Sequence, residues 1–175
     1  MTTTPTTPSP TGTRADHDGR TFVEFTRTFR APIEDVWAAV TESDRLARWI
    51  GTWTGDPADG EVQFLMSFEE DATAERMVID VCEAPRLLRL TSTVLTDDTE
   101  QQTWKFRIDL SEDAGVTTRL FSQDVPDATM AAGVGPGWDY YLDRLVAAES
   151  GVDPATVVWD DYYPALSEHY RAAFA

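Results

Sequence analysis

GPGWDYYLDRLVAAESG, residues Gly135 to Gly151, reads as a helix with both ends marked. Pro136 suits a first turn, where a fixed φ and a missing N–H cost nothing. Gly151 suits the left-handed residue that often follows a helix end. Between them Trp138, Tyr141, Leu142, Leu145 and Val146 recur at i, i+3, i+4, i+7 and i+8, one apolar stripe. Asp139, Asp143 and Arg144 fall to the solvent side in this reading. A stripe this heavy needs a broad apolar surface to lie on, and the preceding chain reads as that surface.

Phe22 to Phe29 alternates, with Val23, Phe25 and Phe29 on one face and Glu24, Thr26 and Thr28 on the other. Arg27 interrupts the apolar face. It reads either as a side chain snorkelling at a sheet edge or as a cation projecting into a cavity to meet a carboxylate. Further strands follow: Val62, Phe64, Met66 and Phe68; Met77, Ile79 and Val81; Leu88, Leu90 and Val94; then Trp104, Phe106, Ile108 and Leu110. Val116 to Val125 is a last strand with apolar residues on both faces. Glu69-Glu70-Asp71, Asp97-Asp98 and Ser111 to Gly115 mark the turns between strands. Strands joined so closely predict an antiparallel meander with one covered face.

Two short helices precede these strands. Pro32 opens the first at its first helical position, with Ile33, Val36, Trp37 and Val40 inward. The second runs from Asp44, read as its N-cap, to Ile50, with Leu46, Trp49 and Ile50 apolar. Gly51 to Gly60 reads as a loop carrying Trp53.

The flanks differ from this body. Residues 1–19 are Thr/Pro-rich without periodicity, so a disordered tail is predicted, with no role for His17. Residues 20–150 form the domain. Residues 151–175 carry Trp159, Tyr162 and Tyr163, then a helix opened by Pro164 with Leu166, Tyr170 and Phe174 in line. So aromatic a segment is predicted to pack on the domain. At 42% hydrophobic residues the chain can fill one sizeable core. A formal net charge of −17 repels phosphate backbones and anionic lipid, which argues against nucleic acid and membrane as partners. No apolar run approaches the roughly 20 residues of a membrane span, and no signal-peptide pattern opens the chain. A cytoplasmic location is the expectation. Cys82, alone, forms no internal disulfide and reads as a small buried hydrophobe.

Phe29 to Gly51, FRAPIEDVWAAVTESDRLARWIG, resembles the opening of START-like (SRPBCC) domains. It is most similar to the branch named for the C-terminal domain of the activator of Hsp90 ATPase. Ala31-Pro32, Val36-Trp37 and Trp49 carry the match, and Gly137-Trp138 with Leu142 and Leu145 resembles that branch's final helix. The resemblance covers about Thr21 to Ser150. It implies an α+β helix-grip fold: a curved antiparallel sheet wrapped around a long C-terminal helix, with two short helices after the first strand. It also implies a cavity between sheet and helix that relatives use for lipids, hormones or polyketides.

Sequence chemistry adds little to this. GVGPG, Gly133 to Gly137, lacks the Lys-Ser/Thr of a phosphate loop and reads as a hinge into the helix. One Cys and two His leave no Cys/His zinc site, and neither a metal nor a cofactor is expected. No nucleophile, base and orienting group stand out, so no catalytic residue is assigned. What remains is an apolar set suited to a ligand pocket: Trp49, Phe64, Met66, Trp104, Phe106, Trp138, Tyr141 and Leu142. Arg27 and Tyr141 are the candidates for orienting a polar group. The same residues could equally fill a closed core. The expected function is binding of an apolar or amphipathic small molecule without catalysis. The alternatives are a co-chaperone or stress-related interaction protein, resembling the Hsp90 activator, and an enzyme resembling polyketide cyclases and aromatases.

Overall fold

The computed structural model describes residues 7–95 and 101–175. The predicted turn at Asp97-Asp98 lies outside the described residues. Eight strands form one sheet: β1 (Thr13–His17), β2 (Arg20–Phe29), β3 (Gly51–Thr54), β4 (Glu61–Met66), β5 (Glu75–Glu83), β6 (Leu87–Leu95), β7 (Gln101–Asp113) and β8 (Val116–Asp124). Their order is β1-β2-β8-β7-β6-β5-β4-β3, and every neighbouring pair is antiparallel. β3 to β8 meander. β2 departs from that pattern by pairing with β8, and α1 (Ile33–Thr41) and α2 (Ser43–Leu46) lie in the connection from β2 to β3. A long helix, α3 (Ala128–Glu149), lies across the inner face, and α4 (Ser167–Ala173) follows it. This is the expected α+β helix-grip fold. The core joins Val23, Phe25 and Phe29 of β2 to Val36 and Val40 of α1 and to Leu142 and Leu145 of α3. Among the described residues, no helix is long and apolar enough to cross a membrane.

Several local expectations are corrected. The predicted tail is not without structure: Thr13–His17 is the edge strand β1, held by its backbone ladder to β2 rather than by burial of its own side chains. His17 there bonds Glu24 at 2.9 Å. The predicted loop from Gly51 opens as β3, and Trp53 Nε1 donates to the Thr41 carbonyl at 2.8 Å. Gly51 is required there, since a Cβ would sit 2.2 Å from the Leu65 carbonyl oxygen. The second helix starts at Ser43, so Asp44 stands in its first turn and not at its cap. A bulge between Ile79 and Val81 reverses the alternation of β5. It turns Val81 outward and leaves Cys82 on the inner side at an exposed rim rather than buried.

The largest correction concerns α3. The helix begins two turns earlier than Pro136, capped by Asp127, whose carboxylate accepts from the Met130 N–H at 2.8 Å. Pro136 is inside it, where a missing donor and the ring's clash with the preceding turn cost about 3 kcal/mol. Tertiary packing offsets that cost. Pro136 is fully buried, and Gly135 lets the Tyr170 ring lie against the helix backbone. Gly151, at φ +74°, does take the left-handed position beyond the helix end.

The solvent side assigned to Asp139 and Arg144 is also wrong: they are 1% and 5% exposed. Segments distant in sequence cover them. Thr11 N–H donates to Asp139 at 3.2 Å, and the hydroxyls of Thr11 and Tyr170 donate to the same carboxylate. Tyr170 in turn accepts from the Gly12 N–H at 2.9 Å. Arg144 donates to the carbonyls of Trp49 and Pro154, both at 3.0 Å, and lies 3.9 Å above the Phe68 ring. Tyr162, Leu166, Tyr170 and Phe174 of the final segment are buried.

Two substitutions in α3 separate space from helix propensity. An added Cβ at Gly135 would stand 2.3 Å from Tyr170, whereas at Gly133 nothing lies within 4 Å. Gly135→Ala is expected to destabilise by about 1–3 kcal/mol through overpacking. Gly133→Ala is expected to stabilise by up to about 1 kcal/mol. Urea denaturation of both variants checks the difference in sign.

Alkaline pH provides a second test. Burial and the Asp139 carboxylate raise the pKa of Tyr170, and burial and the hydrogen bond to Asp143 raise that of Tyr162. The folded chain therefore holds both protons more tightly than the unfolded chain, whose tyrosines titrate near about 10. The stabilisation is full below that pH and is lost as pH rises above it, by up to about 1.4 kcal/mol per pH unit for each group. Lys105 is the single lysine; Tyr141, also raised by burial, adds to this loss, and buried Arg119, lowered to about 9, opposes one tyrosine's share, so the net slope remains downward. Denaturation midpoints should fall steeply above pH ~10, and less steeply in Tyr162→Phe.

Candidate functional site

Strand alternation puts the odd-numbered residues of β2 and β8 and the even-numbered residues of β4, β6 and β7 on the inner face, opposite α3. The helix covers only part of that face. Between the sheet, α1 and α3 a cavity of about 510 Å³ remains. Its walls are Phe64 and Met66 of β4, Leu88 and Leu90 of β6, Trp104, Phe106 and Ile108 of β7, and Val134 and Trp138 of α3. α1, the segment after α2, and β3 close one end with Trp37, Val40, Trp49 and Trp53. Five of the chain's six tryptophans thus face one space. Exposed Pro57, Glu69 and Cys82 mark its rim.

Six residues predicted from sequence, Trp49, Phe64, Met66, Trp104, Phe106 and Trp138, line this cavity. Tyr141 lies in an adjoining space of about 440 Å³ that shares Met66, Glu69, Gln123 and Trp138 with the first. Its hydroxyl donates to Glu69 at 3.3 Å, and burial together with the Glu69 charge raises its pKa. Leu142 is 0% exposed and belongs to the packed core under α3; it lines neither space. Arg27 meets carboxylates, but outside the cavity. Its guanidinium donates to Asp139 at 3.3 Å and Asp143 at 3.0 Å, binding β2 to α3. The edge-snorkelling reading fails as well, because β2 has strands on both sides and the Arg27 side chain is 11% exposed.

Sequence reasoning missed the most unusual residue in the cavity, Arg119 of β8. It stands directly opposite Arg27 across the β2–β8 pair. It is 1% exposed, with its guanidinium carbon 5.8 Å from the Trp49 ring and 5.2 Å from the Phe121 ring. Its Nε has no partner, and among the described residues no carboxylate pairs with it. Burial, with the like charge of Arg27, lowers its pKa to about 9, so it still carries its proton at neutral pH. β8 looked apolar on both faces, which hid its parity. Once β8 sits between β2 and β7, register places Thr117, Arg119, Phe121 and Gln123 inward.

Three other polar side chains at this surface have protein partners. Thr41 donates to the Trp37 carbonyl at 2.7 Å, and Glu75 accepts from Ser92 at 2.8 Å. Gln123 accepts from Trp138 Nε1, which orients the indole between Phe121 and Phe106, ring centroids 4.2 and 6.1 Å away. Among the described residues, no cluster of three His, Cys, Asp or Glu side chains is placed to hold a metal ion.

Residues 30–149 match the family described as Activator of Hsp90 ATPase homolog 1-like protein. No curated protein matches the chain. Several solved structures share its fold. CalU16 from Micromonospora echinospora is 23% identical, with a TM-score of 0.68 over 93% of this chain and 92% of that one. The protein encoded by gene BPP1335 from Bordetella parapertussis is 22% identical, with a TM-score of 0.68 over 98% and 94%. EF2215 from Enterococcus faecalis, a conserved protein of unknown function, is 18% identical, with a TM-score of 0.63 over 91% and 87%. These likenesses concern the fold. The family match spans well over half of the 175 residues, from the end of β2 to the last turn of α3, and the chain belongs to the activator of Hsp90 ATPase homolog 1-like family, with an SRPBCC-type domain.

Proposed function

We propose that this protein binds an apolar or amphipathic small molecule in the cavity between the sheet and α3. The observation that carries this reading is the cavity itself, about 510 Å³ with aromatic and aliphatic walls. Small-molecule sites typically occupy about 300–1,000 Å³ and combine such walls with a few placed polar groups. An apolar void forfeits dispersion contacts and lowers stability. Elsewhere the inner face is closed: Val23, Phe25, Leu142 and Leu145 are 0–1% exposed. A space left open beside so dense a core is more readily understood as room for an occupant than as a packing defect.

Binding, rather than chemistry, fits the polar groups present. Thr41, Glu75 and Gln123 each bond a neighbouring protein group, and the one serine hydroxyl that meets a cavity carboxylate, Ser92 on Glu75, has no histidine beside it, since neither histidine of the chain lines the cavity.

The clustered indoles supply the readout. Occupancy of the cavity is expected to change intrinsic tryptophan fluorescence and to raise the Tm, as any ligand selective for the folded state does. Leu90→Trp, which adds an indole within the cavity, is expected to abolish both responses while leaving the circular dichroism spectrum unchanged. A panel of neutral and anionic aromatic and aliphatic compounds that produces no fluorescence or Tm response in the parent protein overturns the reading.

A further inference from the structure

We infer that Arg119 is a recognition site for a single negative charge, and that the molecule held in the cavity is an amphipathic monoanion with a carboxylate-type head. This rests on the binding function proposed above and specifies the ligand's chemistry.

The argument begins with two arginines facing each other on neighbouring strands. Arg27 and Arg119 are direct cross-strand partners on the inner face. Like charges so placed destabilise a sheet. The fold relieves one of them: Arg27 reaches Asp139 and Asp143 on α3. It does nothing equivalent for Arg119, which donates no hydrogen bond among the described residues and lies between the rings of Trp49 and Phe121. Aromatic faces offset part of the desolvation of a guanidinium. They provide no acceptor for its N–H groups, and leaving a buried charged donor unpaired is among the costlier arrangements a protein can hold.

Arg119 also lines the cavity. A guanidinium presents parallel N–H groups that match two oxygens of a planar carboxylate, a charge-assisted pairing about twice as strong as a neutral one. One unpaired cation takes one negative charge. A dianionic phosphate would bring an unmatched second charge into apolar surroundings, past Glu69 at the rim. The rest of the wall, Phe106, Ile108, Trp104 and Trp138, accommodates a hydrocarbon or aromatic body. Along the inner face of β8, Thr117 donates to the Ala31 carbonyl at 2.7 Å and the carbonyl oxygen of Gln123 is occupied by Trp138.

Matched pairs of acid and neutral analogue test this in the full chain: 2-naphthylacetate against 2-naphthylacetamide, and dodecanoate against dodecanol, by tryptophan fluorescence and calorimetry at neutral pH. The parent protein is expected to prefer each acid by on the order of 10–100-fold. Arg119→Met keeps the side-chain length and removes the charge. It is expected to lose the acid preference, to retain the neutral analogues, and to show a higher Tm than the parent without ligand, because an uncompensated buried charge is gone. Equal affinities for acid and neutral partner in the parent overturn the inference and leave the cavity function standing. So does an acid preference that survives in Arg119→Met. An Arg119→Met protein less stable than the parent shows that the guanidinium serves the fold itself, and also overturns it. If none of the four probes binds either protein, the cavity reading fails, and this inference with it.

Discussion

Asp139 is a carboxylate withdrawn from water in the middle of a helix, and the placement of α3 depends on it. Three parts of the chain converge there: Thr11 before β1, Arg27 on β2, and Tyr170 on α4. A buried charge is tolerated only when it is paired and hydrogen-bonded, so these partners cannot leave one at a time without large cost. The same contacts press Tyr170 against Gly135 and hold a helix that carries Pro136 in its interior. The position of α3 over the sheet is thereby fixed along one side, towards β1 and β2. On the other side, towards β4 to β7, α3 is tied only past the strand ends, by Tyr141 to Glu69 and by Arg144 to the Trp49 carbonyl and the Phe68 ring among the described residues, and the cavity lies there.

The pairing of charges divides the inner face in the same way. Arg27 and Arg119 come from adjacent strands at the same level, yet one is part of a saturated network and the other is enclosed by aromatic rings. Packing energy alone would favour a hydrophobic residue at position 119. Retaining a guanidinium there is a departure from local consistency of the kind that functional sites show. Trp138 links the two regions, since it follows the Gly135–Pro136 step on α3 and hydrogen-bonds to Gln123 on β8.

Much of the architecture was legible beforehand. Alternation in Phe22 to Phe29, Val62 to Met66 and Trp104 to Leu110 identified strands and their inner faces, because a pleated strand turns every second side chain the same way. The aromatic lining of the cavity followed from those faces. The misreadings share one cause. β5 changed parity at a bulge that only its partner strand reveals. β1 was unrecognisable because its stability comes from a backbone ladder to β2 and not from its own side chains. Pro136 reads locally as a helix start because its penalty is offset only by distant contacts of its helix with Tyr170 and the core, although Asp127 nine residues earlier is a usable N-cap signal.

The amino-acid sequence by itself determined the element types, the long amphipathic helix and the apolar wall, since these arise from relations between residues a few positions apart. Only the tertiary structure decided which polar side chains are enclosed. Asp139 is buried by a residue 128 positions away, and Arg119 is isolated by Trp49 from a separate part of the chain. Solvation depends on every segment that packs over a group, and local pattern carries no record of distant cover. A helix position that faces water in a two-element picture becomes the anchor of the fold once both chain ends lie over it, and an arginine on an ambiguous strand becomes the charged centre of an apolar cavity.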